Sequence, residues 1–152
     1  MGDSTYCVPM NRGVTLPELL ITMTIVSLVL GIAAPRMSGP LDVLAVEHAA
    51  EDIAGAHARA RVTAVVESRV TLLHVSSDSV VLEVLGPAGP ERRWAMPGPG
   101  RFDVAMTGGS RTLTFSPIGI SMGFSNASWT LTKGSATRRV VVSRLGRVRI
   151  ER

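Results

Sequence analysis

The chain has 152 residues, 45% of them hydrophobic and 4% aromatic, with a formal net charge of +4. That length allows one globular domain with an aliphatic core and excludes a second full-sized one. The charge is uneven: residues 14–132 carry 8 arginines against 10 acids, whereas residues 133–152 carry 7 basic residues against Glu151 alone.

Residues 11–35 organise the rest. They run Asn-Arg-Gly-Val-Thr-Leu-Pro-Glu-Leu-Leu into an apolar stretch ending at Ala33-Ala34-Pro35. A lone carboxylate, Glu18, stands near the start of a segment otherwise fit for lipid. An ionisable group costs roughly 2–3 kcal/mol near a bilayer centre, so a partner is expected. The obvious partner is a new amino terminus made by a cut after Gly13. A secretory signal peptide cut after Ala33 is the competing reading, but Pro17 and Glu18 inside the apolar region argue against it. A plain membrane anchor is the third, and Leu19–Ala34 is short for a span of about 20 residues unless Val14–Leu16 join it. Cys7 is the only cysteine. A chain beginning at Val14 would therefore have neither an internal disulfide nor a cysteine-based metal site. Met10 is an alternative start that leaves a leader of Met-Asn-Arg-Gly.

Arg12-Gly13, Thr15-Leu16, Glu18 and the apolar run together resemble the class III signal of type IV pilins and type II secretion pseudopilins. Val14 replaces the usual Phe, and Pro17 stands where Leu or Ile is common. Proline in a first helical turn removes no needed hydrogen bond. The resemblance implies a leader over 1–13, cleavage after Gly13 by a prepilin peptidase and N-methylation of the Val14 amine. It also implies a membrane-spanning, filament-packing helix over 14–35 and a periplasmic domain over 36–152. Glu18 would pair with the amine of a neighbouring subunit entering the filament. The protein would then be a single-pass inner-membrane protein, later extracted into a filament.

Pro35 and Pro40 predict a kink or break. Beyond it, Val46, Ala49, Ile53, Ala56, Ala60 and Ala64 recur at helical spacing and predict a helix over about 41–67. Acids in its first half and arginines toward its end complement the helix dipole. After Ser68 the pattern becomes β. Val70–Val75 and Val80–Leu85 read as a hairpin around Ser76–Ser79, and Gly86–Pro90 and Pro97–Gly100 as loops. Shorter strands are predicted at Trp94–Met96, Phe102–Met106, Thr112–Phe115 and Trp129–Thr132. Arg138–Arg144 and Arg147–Ile150 should pair around Leu145-Gly146. The expected fold is α+β, a long N-terminal helix whose second half packs on an antiparallel sheet.

Leu113-Thr114-Phe115-Ser116-Pro117-Ile118-Gly119, with a strand pair ending Val-Ser-Arg-Leu-Gly-Arg-Val-Arg, is similar to the GspH/FimT branch of minor pseudopilins. This implies a structural subunit of a secretion pseudopilus or a type IV pilus tip. Its partners would be other major and minor pilins, inner-membrane lipid and secreted protein. Gly146-Arg147-Val148-Arg149 is similar to the Gly-Arg-x-Arg motif of DNA-binding FimT-type pilins. The alternative function is therefore DNA uptake through Arg138, Arg139, Arg144, Arg147 and Arg149, whose convergent guanidiniums would hold phosphates in a salt-dependent way. A charged edge strand that resists aggregation, or contacts to acidic neighbours, account for the same residues. His48, Glu51, Asp52 and His57 do not converge around their helix as metal ligands must, and read as a solvated face. His74 stands alone. There is no plausible nucleophile–base pair, so no enzyme and no cofactor are expected.

Overall fold

The structure, a computed structural model, describes residues 13–33, 38–123 and 126–152. The chain divides into two compact units, residues 1–37 and 38–152. In the first unit, helix α1 covers Leu16–Ala33. Its leucines, isoleucines and valines are exposed all round, from Leu16 to Ile32. A helix apolar on every side belongs against lipid or other helices. Its 18 residues rise about 27 Å at 1.5 Å each, short of a hydrocarbon layer of about 30 Å. Among the described residues, no helix is long and apolar enough to cross a membrane. The expected helix over 14–35 is longer; Ala34 and Pro35 lie outside the described residues, as does most of the expected break.

Helix α2 opens the second unit and covers Ser38–Glu67. Pro40 therefore sits inside its first turn, where a missing N–H costs nothing. The six residues of the predicted stripe are all buried, none more than 2% exposed. Four are alanines, so strands come close: the Thr71 hydroxyl donates to the Ala60 carbonyl at 3.1 Å in the interior.

Two antiparallel sheets cover this stripe, where the sequence predicted one. The first has the order β3-β2-β1-β5-β6, with β1 at Thr71–Val75, β2 at Ser79–Gly86, β3 at Gly89–Pro97, β5 at Arg111–Phe115 and β6 at Ser121–Met122. The second has the order β4-β7-β8-β9, with β4 at Ala105–Thr107, β7 at Ala127–Lys133, β8 at Ala136–Val142 and β9 at Val148–Glu151. Alternate residues point inward by the two-residue period of a strand. Leu73, Val75, Leu82, Leu113, Phe115, Trp129, Leu131, Val140 and Val142 thus fill the core with α2. Trp129 is fully buried, and its indole N–H donates to the Gly109 carbonyl at 3.0 Å.

The largest departure from the predicted elements is β3. Only Trp94–Met96 reads as strand, yet pairing runs from Gly86↔Gly89 to Ser79↔Pro97, with an irregularity between Leu82 and Glu83. Pro90, Arg92 and Arg93 break the strand pattern. They are tolerated because β3 is an edge strand, where a missing N–H and exposed charge cost little. The predicted Phe102–Met106 strand is likewise displaced: Pro99–Phe102 forms a 3-10 turn and pairing starts at Ala105.

Candidate assembly and binding sites

In the first unit, Gly13 and Val14 are exposed and precede the helix. Thr15 stands at the N-cap position, and its backbone N–H points to the Glu18 carboxylate at 3.5 Å. This is one half of a capping box, in which a glutamate three residues into a helix reaches back to satisfy an otherwise orphaned donor. The negative charge also sits at the positive end of the helix dipole. Glu18 thus reaches back to the residue that follows Val14.

The arginines of the tail do not share one face. On β8, Arg138 points inward toward α2, where its guanidinium is 3.8 Å from the Glu47 carboxylate and only 14% exposed. Arg139 points outward and donates to the Ser128 hydroxyl at 2.9 Å. Arg144 is exposed in the turn that joins β8 to β9. That turn is closed by Ser143 N–H to the Arg147 carbonyl and Gly146 N–H to the Ser143 carbonyl, both 2.9 Å. Gly146 takes φ +73° there, a left-handed value that favours glycine. Arg147 and Arg149 line one shallow depression with Val141, Ser143 and Leu145, and Glu151 borders it. Among the described residues, Arg144, Arg147 and Arg149 have no ion-pair partner.

Residues 49–146 match the family model of Type II transport protein GspH. The chain belongs to that family. Residues 9–34 match the prokaryotic N-terminal methylation motif, a stretch that includes Gly13, Val14 and Glu18. The chain is 32% identical over 156 residues to the pilin-like protein PilA1 of Thermus thermophilus, covering 93% of this chain and 99% of that one. Its fold is similar to that of the type IV minor pilin FimU of Pseudomonas aeruginosa, with TM-score 0.56 and 18% identity over 70% of this chain and 88% of that one. A second crystal form of FimU gives TM-score 0.54 at 20% identity, with 70% of this chain and 92% of that one covered. The protein is a minor pilin or pseudopilin of type IV pilus or type II secretion kind, and its family is one of structural subunits.

Two histidines of this pseudopilin have surroundings that differ from those expected from their sequence neighbours. His57, expected on a solvated face, is only 4% exposed. Its ring meets Phe115 edge-on, centroids 5.0 Å apart at 80°. Burial, and then the charge of Arg61, lower its pKa from 6.5. Among the described residues its Nε2 has no hydrogen-bond partner. The helical period places His57 beside the alanine stripe, but only the packed sheets show that the ring turns inward.

His74 lies between two strands. Its Nδ1 is 2.8 Å from the Thr112 hydroxyl on β5, and its Nε2 is 3.3 Å from the Glu83 carboxylate on β2. The partners stand 38 and 9 residues away in sequence, so no local motif announces them. Among the described residues, no group of three or more His, Cys, Asp or Glu is placed to hold a metal ion.

Proposed function

We propose that this subunit is made as a precursor, cut by a prepilin peptidase between Gly13 and Val14, and N-methylated at Val14. In this reading the apolar segment 14–35 that contains helix α1 anchors it in the inner membrane with the second unit in the periplasm, until the subunit is drawn into a filament. The observation that carries this reading is the placing of exposed Gly13 and Val14 just before a predominantly apolar helix whose first turn holds Glu18 as its one charged residue. A peptidase needs an extended, accessible bond. A carboxylate in an apolar layer needs a cation, and the new amine of an adjacent subunit supplies one. The test is the intact mass and N-terminal sequence of the protein recovered from membranes of its own host. A chain starting at methylated Val14 supports the reading. A start near Ala34, or an uncut chain, overturns it.

A second reading concerns DNA. Arg144, Arg147 and Arg149 are exposed around one turn and are free to meet phosphates. Electrophoretic retardation of duplex DNA that falls steeply with salt, and is lost when Arg147 and Arg149 become Ala, would support uptake of DNA. No retardation at low salt would remove it.

A further inference from the structure

We infer that the second sheet lacks a strand, and that its open position, beside β9 and over the carboxyl-terminal half of α2, receives an extended segment of a partner chain in which apolar residues alternate with acidic ones.

The outer edge of β9 is open among the described residues, because the sheet order ends there. The direction of its free groups follows from the ladder. Ser143 N–H donates to the Arg147 carbonyl at 2.9 Å, and Val141↔Arg149 and Arg139↔Glu151 are paired. Backbone groups in an antiparallel pair alternate in direction along each strand. Arg147, Arg149 and Glu151 therefore turn theirs toward β8, and Val148 and Ile150 present N–H and C=O to the empty side. An unpaired edge is a template for an added strand.

Beside this edge lies a groove of about 640 Å³, lined by Ala58, Val62 and Val66 of α2 and by Val148. Val62 and Val66 are 60% and 76% exposed, so the floor of the open position is largely apolar, with His57, Arg61 and Arg147 also lining the groove. The end of the first sheet packs on the same stretch of α2. A Cβ on Gly119, in the turn before β6, would come 2.9 Å from Val65 Cγ2. At the other end, a Cβ on Gly146 would come 2.8 Å from the Ser121 hydroxyl, which is buried without a partner among the described residues. Beyond this contact, the side of β9 away from β8 is a gap among the described residues, with α2 beside it.

A strand laid in that gap would turn alternate side chains down onto the valines, as Val148 and Val142 do, and the others outward. The outward face at this margin carries Arg139, Arg147 and Arg149 against the single acid Glu151. Acidic residues at the outward positions complement it, since opposite charges across strands are favourable and like charges are not. Basic residues there would be repelled. This inference concerns the second unit only and stands whether or not the amino terminus is processed as proposed above.

The probe is an acetylated, amidated peptide about seven residues long, a usual strand length, alternating Val and Glu. It is titrated into the full chain in detergent micelles while amide hydrogen exchange is followed. Slowed exchange at Val148 and Ile150, with Arg149 and Glu151 unchanged, is the expected result. Ile150→Pro removes an N–H that faces the gap but none that bonds β8, so the variant keeps the fold. It should weaken peptide binding about tenfold or more, with an unchanged melting temperature. A peptide alternating Val and Lys should bind far more weakly. Failure of the wild-type chain to protect these amides at millimolar peptide overturns the inference. So does equal binding by Ile150→Pro, which would mean that the groove takes an apolar ligand without strand pairing. Self-association of the chain that Ile150→Pro abolishes would identify the occupant as a second copy, and would also overturn it.

Discussion

The guanidinium of Arg138 lies 3.8 Å from the carboxylate of Glu47, an ion pair that ties the centre of the second sheet to helix α2. Arg138 is thereby separated from the exposed arginines a few residues further along the chain. Arg138→Ala is expected to lower stability modestly, by about 1 kcal/mol from the pair and the lost packing of its stem. It should leave any retention of DNA unchanged. Arg147→Ala and Arg149→Ala should do the reverse, and denaturant melts beside DNA retardation on the same proteins would separate the two classes.

His57 predicts a pH dependence. Its pKa is lowered from 6.5 by burial and by Arg61, so below about pH 6.5 the unfolded chain binds a proton that the folded chain resists. Stability therefore rises with pH through this window and is lost as pH falls toward the lowered folded value. His57→Leu should flatten the dependence between about pH 7 and pH 5 relative to wild type. An unaltered slope in urea melts across that range would show that the imidazole is not responsible.

Helix α2 should resist larger side chains at its stripe. Ala60 is fully buried and its carbonyl receives the Thr71 hydroxyl at 3.1 Å. Ala60→Leu has no room without parting helix and strand, and should cost about 1–3 kcal/mol. The same change at Ala58, which is exposed, should cost little. Thermal melts of the two variants give the comparison.

Trp129 anchors the second sheet. It has no exposed surface and donates to Gly109 at 3.0 Å, so Trp129→Ala should cost about 3–5 kcal/mol. Trp129→Phe should cost less, because it keeps most of the apolar volume and leaves only the Gly109 carbonyl unpaired. If the two variants melted alike, the cavity would not be the dominant loss.

Glu18→Ala should leave the cut after Gly13 intact and impair entry into filaments. The variant loses the carboxylate that meets Thr15 N–H at 3.5 Å, a fraction of one helix cap, which is a small loss beside that of a paired charge in an apolar layer. Mass of the membrane-bound chain and its amount in sheared filaments would be measured together. Normal incorporation would remove Glu18 from the assembly mechanism.

Much of this molecule is legible because its signals are local. The 3.6-residue period from Val46 to Ala64 places the buried face of α2, and Ser76–Ser79 and Leu145-Gly146 fall in the turns where hairpins close. The run from Gly13 to Ala33 is dense enough in apolar residues that neither neighbours nor topology are needed to read it as an exposed apolar helix. Strand β3 was not legible for the opposite reason. Pro90 and Glu91 are disfavoured in strands and Arg92 and Arg93 add charge without apolar alternation, and only their position at the margin of a sheet makes this tolerable.

By itself the sequence determined where the apolar helix lies, which face of α2 is buried, and that strands follow in antiparallel hairpins. Those properties depend on residues close together in the chain. Only the tertiary structure decided that there are two sheets, that Arg138 faces Glu47 while Arg147 and Arg149 face solvent, and that His57 is buried against Phe115. Each depends on which distant strand arrives over α2. A contact across 58 residues, such as that between His57 and Phe115, leaves no periodic trace in either segment.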